Sequence, residues 1–269
     1  METGINIIEH GSQREQFRSR SAIRSGLIAR LSRYLDLTTG ERDALDWAER
    51  RELRLRPGKT LMVEGGDSQS LFVVQRGWLH SSVRLANDRR QILSFHYAGD
   101  LIGTSSIAWA QAAATMTAVS DCVVSELPKT NLGRIFKQEP RLAGLLYAVA
   151  AAENVAMSMR LMSIGRMDAR ERLAMLLLDI LARLRVSEAG VVDAFDLPLT
   201  QTDIGDALGL TKVHVNRTFR ALEEAGLVKR TGKRIRLTGE ARLIEMTGFV
   251  NRYDEIETAW LPPPASLER

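Results

Sequence analysis

Cysteine is almost missing from this chain: Cys122 is the one thiol in 269 residues. That excludes an intrachain disulfide framework and a cysteine-ligated iron–sulfur cluster held within one chain. No Walker loop, HExxH, GxSxG or kinase signature occurs, so nothing points to an enzyme. No histidines and cysteines cluster at metal-ligand spacing, so no metal and no cofactor is expected. His80 and His96 read as ordinary strand histidines, and Cys122 as a small buried hydrophobe. Residues 1–20 are polar and lack the apolar core of a secretory signal, and the longest apolar run, 142–152, is short for a bilayer. A cytoplasmic protein without membrane contact is therefore expected. Excess charge is also scarce, with 37 Lys and Arg against 33 Asp and Glu, net +4. Any nucleic-acid argument must rest on a local concentration of cations. What remains is ordinary globular composition, 45% hydrophobic and 26% charged, long enough for two domains with real cores.

The informative stretch is 199–237. Thr200 followed by Asp203 is a capping pattern that opens a helix: the hydroxyl accepts from an orphan amide and the carboxylate reaches back. Ile204, Ala207 and Leu208 give that helix one apolar face, Gly209 stops it, and Thr211 caps a second. Val215, Phe219 and Leu222 are spaced for burial, while Lys212, Val213, Asn216, Arg217 and Arg220 project together from the opposite face. Two helices joined by a tight Gly-containing turn, the second carrying Lys, Asn and Arg, describe a helix-turn-helix. Beyond Gly226, two short strand-like runs flank Thr231-Gly232, a winged addition. Between Thr211 and Arg236 stand eight Lys or Arg against Glu223 and Glu224, a concentration suited to a phosphate backbone. Arg217 can bridge guanine O6 and N7 with its planar fork, and Asn216 can pair with an adenine or contact a neighbouring base or phosphate. The expected contacts with double-stranded DNA are Thr200, Gln201 and Thr202 on the first helix, Thr211, Lys212, Val213, His214, Asn216, Arg217 and Arg220 on the second, and Lys233 and Arg234 in the wing.

This segment resembles the C-terminal DNA-binding domain of the Crp/Fnr family of bacterial transcription regulators. The run T-K-V-H-V-N-R-T-F matches the family's recognition helix, with Arg217 at its characteristic arginine. One departure matters: the family often has Glu four residues before that arginine, where it accepts from a cytosine amino group. Here the position is Val213, so the family's familiar operators do not carry across unchanged.

Upstream, from 51 to about 127, short β-type runs alternate with turn residues, the texture of a β-barrel, roll or sandwich. Pro57-Gly58, Gly65-Gly66-Asp67, Arg76-Gly77 and Ala98-Gly99-Asp100 mark its corners. Their spacing resembles the cyclic-nucleotide-binding β-roll that precedes the DNA-binding domain in the same family. In nucleotide-binding members a short helix near F-G-E is followed by an Arg-Ser-Ala-type cassette that grips the cyclic phosphate. Here the first element reads Leu101-Ile102-Gly103-Thr104, and alignment on the last strand puts Ala112-Ala113-Ala114 at the cassette. No arginine lies between Arg90 and Arg134. The pocket near Gly103, Thr104, Ala112, Ala113 and Ala114 thus reads as degenerate for a cyclic nucleotide, and its effector is unknown.

From 140 to 163 the pattern is helical, with Leu142, Leu145, Val149, Ala152, Ala156 and Met159 forming a heptad-like seam expected to pair two copies of the chain. Residues 164–168 read as a hinge, Asp168 as the cap of the next helix, and Leu261-Pro262-Pro263-Pro264 as part of an extended end. The expected fold is α+β in two domains: an antiparallel β-roll, a long dimerisation helix and a winged helix-turn-helix. The expected divisions are a flexible arm (1–20), β-roll (21–137), dimerisation helix (138–164), DNA-binding domain (165–250) and tail (251–269). The functional expectation is a homodimeric transcription regulator on a palindromic operator, with RNA polymerase as a further partner, controlled neither by cyclic AMP nor by an iron–sulfur cluster. A cyclic-nucleotide-responsive regulator with an atypical pocket is the runner-up. A regulatory β-roll subunit of an enzyme is the alternative from another class.

Overall fold

The computed structural model describes residues 25–86, 88–187 and 193–264; the arm expected at 1–20 and the last five residues of the tail lie outside them. Two short helices come first, α1 (Gly26–Leu31) and α2 (Thr39–Ala48). Thr38 caps α2 and Glu41 accepts from the Thr38 amide at 2.8 Å, a reciprocal capping box. The strands β1 (Glu52–Leu55), β2 (Thr60–Met62), β3 (Ser70–Arg76), β4 (Leu79–Arg84), β5 (Arg90–His96), β6 (Leu101–Ile102), β7 (Thr115–Ala118) and β8 (Cys122–Pro128) follow. They form two antiparallel four-stranded sheets, ordered β1-β8-β3-β6 and β2-β7-β4-β5. Met62, Phe72, Val74, Leu79, Met116 and Val124 form a core cluster drawn from both sheets. Cys122 belongs to it; its thiol donates to the Trp78 carbonyl at 3.0 Å, and burial pushes its pKa up. The Arg76-Gly77 corner needs its glycine twice over. Its φ is +86°, and a Cβ there would overlap the Asp121 carbonyl.

Helix α3 (Lys129–Gln138), which the sequence reading did not foresee, leads into α4 (Pro140–Arg166). Here the expected dimer seam is corrected at Leu142 and Leu145. Leu142 and Leu145 are fully buried in the chain's own core, against Leu27, Leu31, Leu45, Leu71 and Leu132; Val149 packs beside them, and Ala156 packs beside Ala182 and Tyr253. The helix is apolar on more than one face, and a second seam stands open: Tyr147, Ala151, Val155, Leu161 and Met162 are exposed. Each set falls on one face of a helix of 3.6 residues per turn, so periodicity alone could not choose between them. By length and hydropathy α4 could cross a bilayer. Yet its Glu153 is paired with Arg30 and Arg183, and Arg160 lies 3.5 Å from Asp179, so these charges are spent on neighbouring protein elements. Gly165 lies inside α4. The chain turns at Met167, which is extended, and Asp168 caps α5 (Ala169–Ser187) by accepting from the amides of Arg170 and Glu171.

Strand β9 (Ala194–Asp196), helices α6 (Gln201–Leu208) and α7 (Lys212–Glu224), strands β10 (Val228–Thr231) and β11 (Arg234–Leu237), and helix α8 (Glu240–Thr247) complete the second half. Its sheet runs β10-β11-β9. Leu173, Leu177, Ile180, Val215, Phe219 and Leu243 build its core, which continues into Trp78, Ile92, Phe95 and Tyr97 of the β-roll. The two halves therefore share apolar packing across their boundary. Each fully buried leucine or isoleucine in it stabilises by about 1.5–3 kcal/mol.

Candidate nucleic-acid interface

The helix-turn-helix is tight because two glycines allow it. Gly209 ends α6 in the left-handed region at φ +68°, and the Leu210 amide donates back to the Gly205 carbonyl at 2.9 Å. A Cβ on Gly205 would overlap the Leu210 carbonyl, so the close approach of turn to helix requires that residue. The sequence reading gave Gly205 no role, since a glycine inside a helix pattern is weak evidence until its neighbour is known. Thr200 and Asp203 form the expected reciprocal cap, and Thr211 accepts from the His214 amide at 3.3 Å.

These caps orient α7 so that Val215, Thr218, Phe219 and Leu222 are buried while Lys212, Val213, Arg217 and Arg220 are exposed. Val213 is 79% exposed, unusual for a valine beside a packed core. Asn216 and His214 are half-buried at the edge of this face; Thr200 and Thr202 are exposed on α6 and Gln201 half-buried. Lys233 and Arg234 sit exposed at the wing tip, where Thr231 and Arg234 pair around a two-residue turn. All the expected contact residues fall within one folded unit.

The eight local cations are not equivalent. Arg230 is forked onto Glu223 at 2.9 and 2.6 Å and lies 4.5 Å over the Phe219 ring, bracing the wing against α7. Arg236 pairs with Asp193 at 2.5 Å and Arg234 with Asp196 at 3.6 Å. Among the described residues Lys212, Arg217, Arg220, Lys229 and Lys233 carry no ion pair. An exposed helix face with unpaired cations, an amide side chain and a basic wing matches what a major groove and its phosphates require.

Residues 171–246 match the Crp-like helix-turn-helix domain, and residues 52–139 the cyclic nucleotide-binding domain. The chain is a DNA-binding transcription regulator of the Crp/Fnr type. This Crp/Fnr regulator is 28% identical over 214 residues to the transcriptional activator protein FnrA of Stutzerimonas stutzeri, covering 80% of this chain and 87% of that protein. It is 27% identical over 221 residues to the transcriptional activator protein anr of Pseudomonas aeruginosa, covering 82% and 90%. Among solved structures, FixK2 from Bradyrhizobium japonicum superposes with a TM-score of 0.67 at 28% identity, covering 74% of this chain and 98% of that one.

The β-roll of this regulator holds a cavity of about 180 Å³ between its sheets, α1 and α4. Of the five pocket residues expected from sequence, Gly103, Thr104 and Ala114 line it. Ala112 and Ala113 are absent from the lining, which corrects that expectation. The Ala112 backbone is pinned to Gly65 and Gly66 by two hydrogen bonds and its side chain turns into the sheet core, while Ala113 is exposed. A cation is present after all. Arg30, from α1, reaches the cavity wall, but its guanidinium is paired with Asp100 and, at 3.0 Å, with Glu153. Nothing local in the sequence links an arginine at 30 with carboxylates at 100 and 153. Arg183 of α5 binds the same two carboxylates. Burial pushes the Glu153 carboxyl up, but Arg183 and Arg30 outweigh it and bring its pKa down to about 2. Burial raises the Asp100 pKa against the pull of both arginines. Also on the wall, His96 is half-buried, its pKa lowered to about 3 first by desolvation and then by Arg183. It is neutral near pH 7. Among the described residues no three His, Cys, Asp or Glu side chains gather to hold a metal.

A third feature joins the halves. Arg90 on β5 donates to Asp203 at 2.6 Å and to Asp206 at 2.7 Å, both on α6. His80 lies 3.3 Å from the same guanidinium, and burial followed by Arg90 lowers its pKa to about 4. Asp203 thus caps α6 and ties it to the β-roll at once.

Proposed function

We propose that this regulator acts as a homodimer in the cytoplasm, placing two α7 helices in successive major grooves of a palindromic operator. The carrying observation is the outward face of α7, where Lys212, Arg217 and Arg220 are exposed without ion pairs beside an exposed Val213. Arg217 reads a guanine, Asn216 contacts an adenine or a neighbouring phosphate, and Lys233 in the wing holds the backbone. Val213, the one apolar side chain among them, favours a thymine methyl, the apolar group that the major groove offers. The open seam of α4, Tyr147 through Met162, supports dimerisation, and the dimer then contacts or occludes RNA polymerase. Binding selections from random DNA test the core of this. The wild type should return a palindrome with half-sites about one helical turn apart. Arg217→Ala should flatten one guanine, and Val213→Glu should move its position from thymine toward cytosine. Unchanged preferences in both variants would remove α7 as the reader.

For the cavity we favour control by something other than cyclic AMP or cyclic GMP, because its one arginine is already neutralised by Asp100 and Glu153. The match of residues 52–139 to the cyclic nucleotide-binding domain favours the second reading, a nucleotide-responsive regulator with an atypical pocket. Calorimetric titration of both nucleotides separates them: no specific heat supports the first, and saturable binding at a defined stoichiometry supports the second.

A further inference from the structure

The match to the helix-turn-helix family ends at residue 246, but the chain does not leave the molecule there. Gly248 ends α8 in the left-handed region at φ +63°, and the following segment turns back across α5 and α4 toward the N-terminal helices. Its anchor is Tyr253, 6% exposed. An Asn251 turn presents it, the Asn251 side-chain oxygen accepting from the Tyr253 amide at 3.0 Å. The phenol donates to Asp179 at 2.6 Å, and the Arg183 guanidinium lies 4.6 Å over its ring. The Tyr253 carbonyl accepts from the Tyr34 hydroxyl at 2.9 Å, which ties it to the turn after α1. Ala156 of α4 and Ala182 and Val186 of α5 enclose the ring. Eight residues later Leu261 lies against α4 at Gly144, where a Cβ would meet the Leu261 Cδ2 at 2.5 Å. The helix has a glycine where the segment crosses it.

We propose that residues 249–261 are a strap that positions the winged helix relative to α4, with Tyr253 as its chief positioning residue. Beside it, α4 and α5 are joined covalently through Met167 and Asp168 and by Arg183 on Glu153 and Arg160 on Asp179, the halves share apolar packing, and Arg90 clasps α6; the strap adds a further tie that also reaches the turn after α1. With it, Tyr34 in the turn after α1, Ala156 of α4 and Ala182 and Val186 of α5 pack on one buried tyrosine, so the direction of α7 from the dimer axis is fixed. In a dimer that direction sets the separation of the two half-sites, so the proposal rests on the palindrome-reading dimer above. Each base pair inserted between half-sites rotates one against the other by about 34°, which a rigid arm cannot follow and a loosened arm can.

The test uses the selected operator with its central spacer lengthened or shortened by one base pair. It compares the wild type with Tyr253→Ala, Tyr253→Phe, Gly144→Val (which displaces Leu261) and a chain ending at Gly248. Circular dichroism first selects the variants that fold. The wild type should lose about tenfold or more in affinity for each altered spacer, and Tyr253→Ala less than about threefold, with an unchanged half-site sequence preference. Tyr253→Phe keeps the ring on Arg183 and should restore most of the spacing discrimination. A merely stabilising residue would lower affinity for all spacers alike. If folded Tyr253→Ala and Gly144→Val proteins both keep the wild-type spacing discrimination, the strap assignment is wrong. If the wild type shows no half-site preference at all, the DNA-reading assignment fails instead.

Discussion

On α7, Lys212, Arg217 and Arg220 stand in solvent without ion pairs; where α1 and α5 meet the β-roll, Arg30 and Arg183 are buried and bound to Asp100 and Glu153. Both regions concentrate arginine, yet only one offers it to a ligand. An exposed guanidinium retains its donors for phosphate or guanine at little cost, because water covers it until DNA arrives. A buried one must already be paired, since an isolated charge in an apolar interior costs several kcal/mol. The first pattern is a reading surface and the second an internal joint. This joint links α1, the β5–β6 turn, α4 and α5, the elements whose relative placement decides where α7 points.

The comparison can be broken most severely at the dimer. Glutamates replacing Ala151 and Leu161 on the open face of α4 would set like charges across an apolar interface, and light scattering should then report monomers with operator binding lost. The same exchange at Leu142 and Leu145 should instead unfold the chain, since those residues lie in its own core. Next in size is the joint itself. Arg183→Met leaves the carboxylates of Asp100 and Glu153 short of a partner, and urea unfolding should show a loss of about 3–5 kcal/mol. On the reading surface, Arg217→Ala should cost about 1–3 kcal/mol per half-site in DNA affinity with little change in unfolding. Arg230→Ala should reverse that pattern, because its donors are committed to Glu223.

Acid gives a smaller, graded effect. His96 has its folded pKa lowered to about 3 from an ordinary value of 6.5, so its contribution to stability is complete above about pH 6.5 and is lost as pH falls toward 3. Arg183, Arg160, Glu153 and His80 are the charged or titratable groups around it. Unfolding at pH 6.5 and 5.5 should show wild type losing about 1 kcal/mol more between the two than His96→Asn. Smallest is the wing: Lys233→Ala should lower the salt dependence of DNA binding by about one phosphate contact, with the half-site preference unchanged.

By itself the sequence determined the local structures. Thr200 with Asp203, and Asp168, opened their helices where capping chemistry requires, because a cap is decided within four residues. Recognition-helix burial followed from the spacing of Val215, Phe219 and Leu222, and Val213 was legible as outward from the same period. Tertiary structure alone decided which of two apolar seams on α4 faces inward, since hydrophobicity marks a surface for burial without naming what buries it. Tertiary structure also brought Arg30, Asp100, Glu153 and Arg183 to one place from four separate elements, and returned Tyr253 to a joint begun at Tyr34. Such pairings depend on through-space distance, and the sequence carries no local pattern for them.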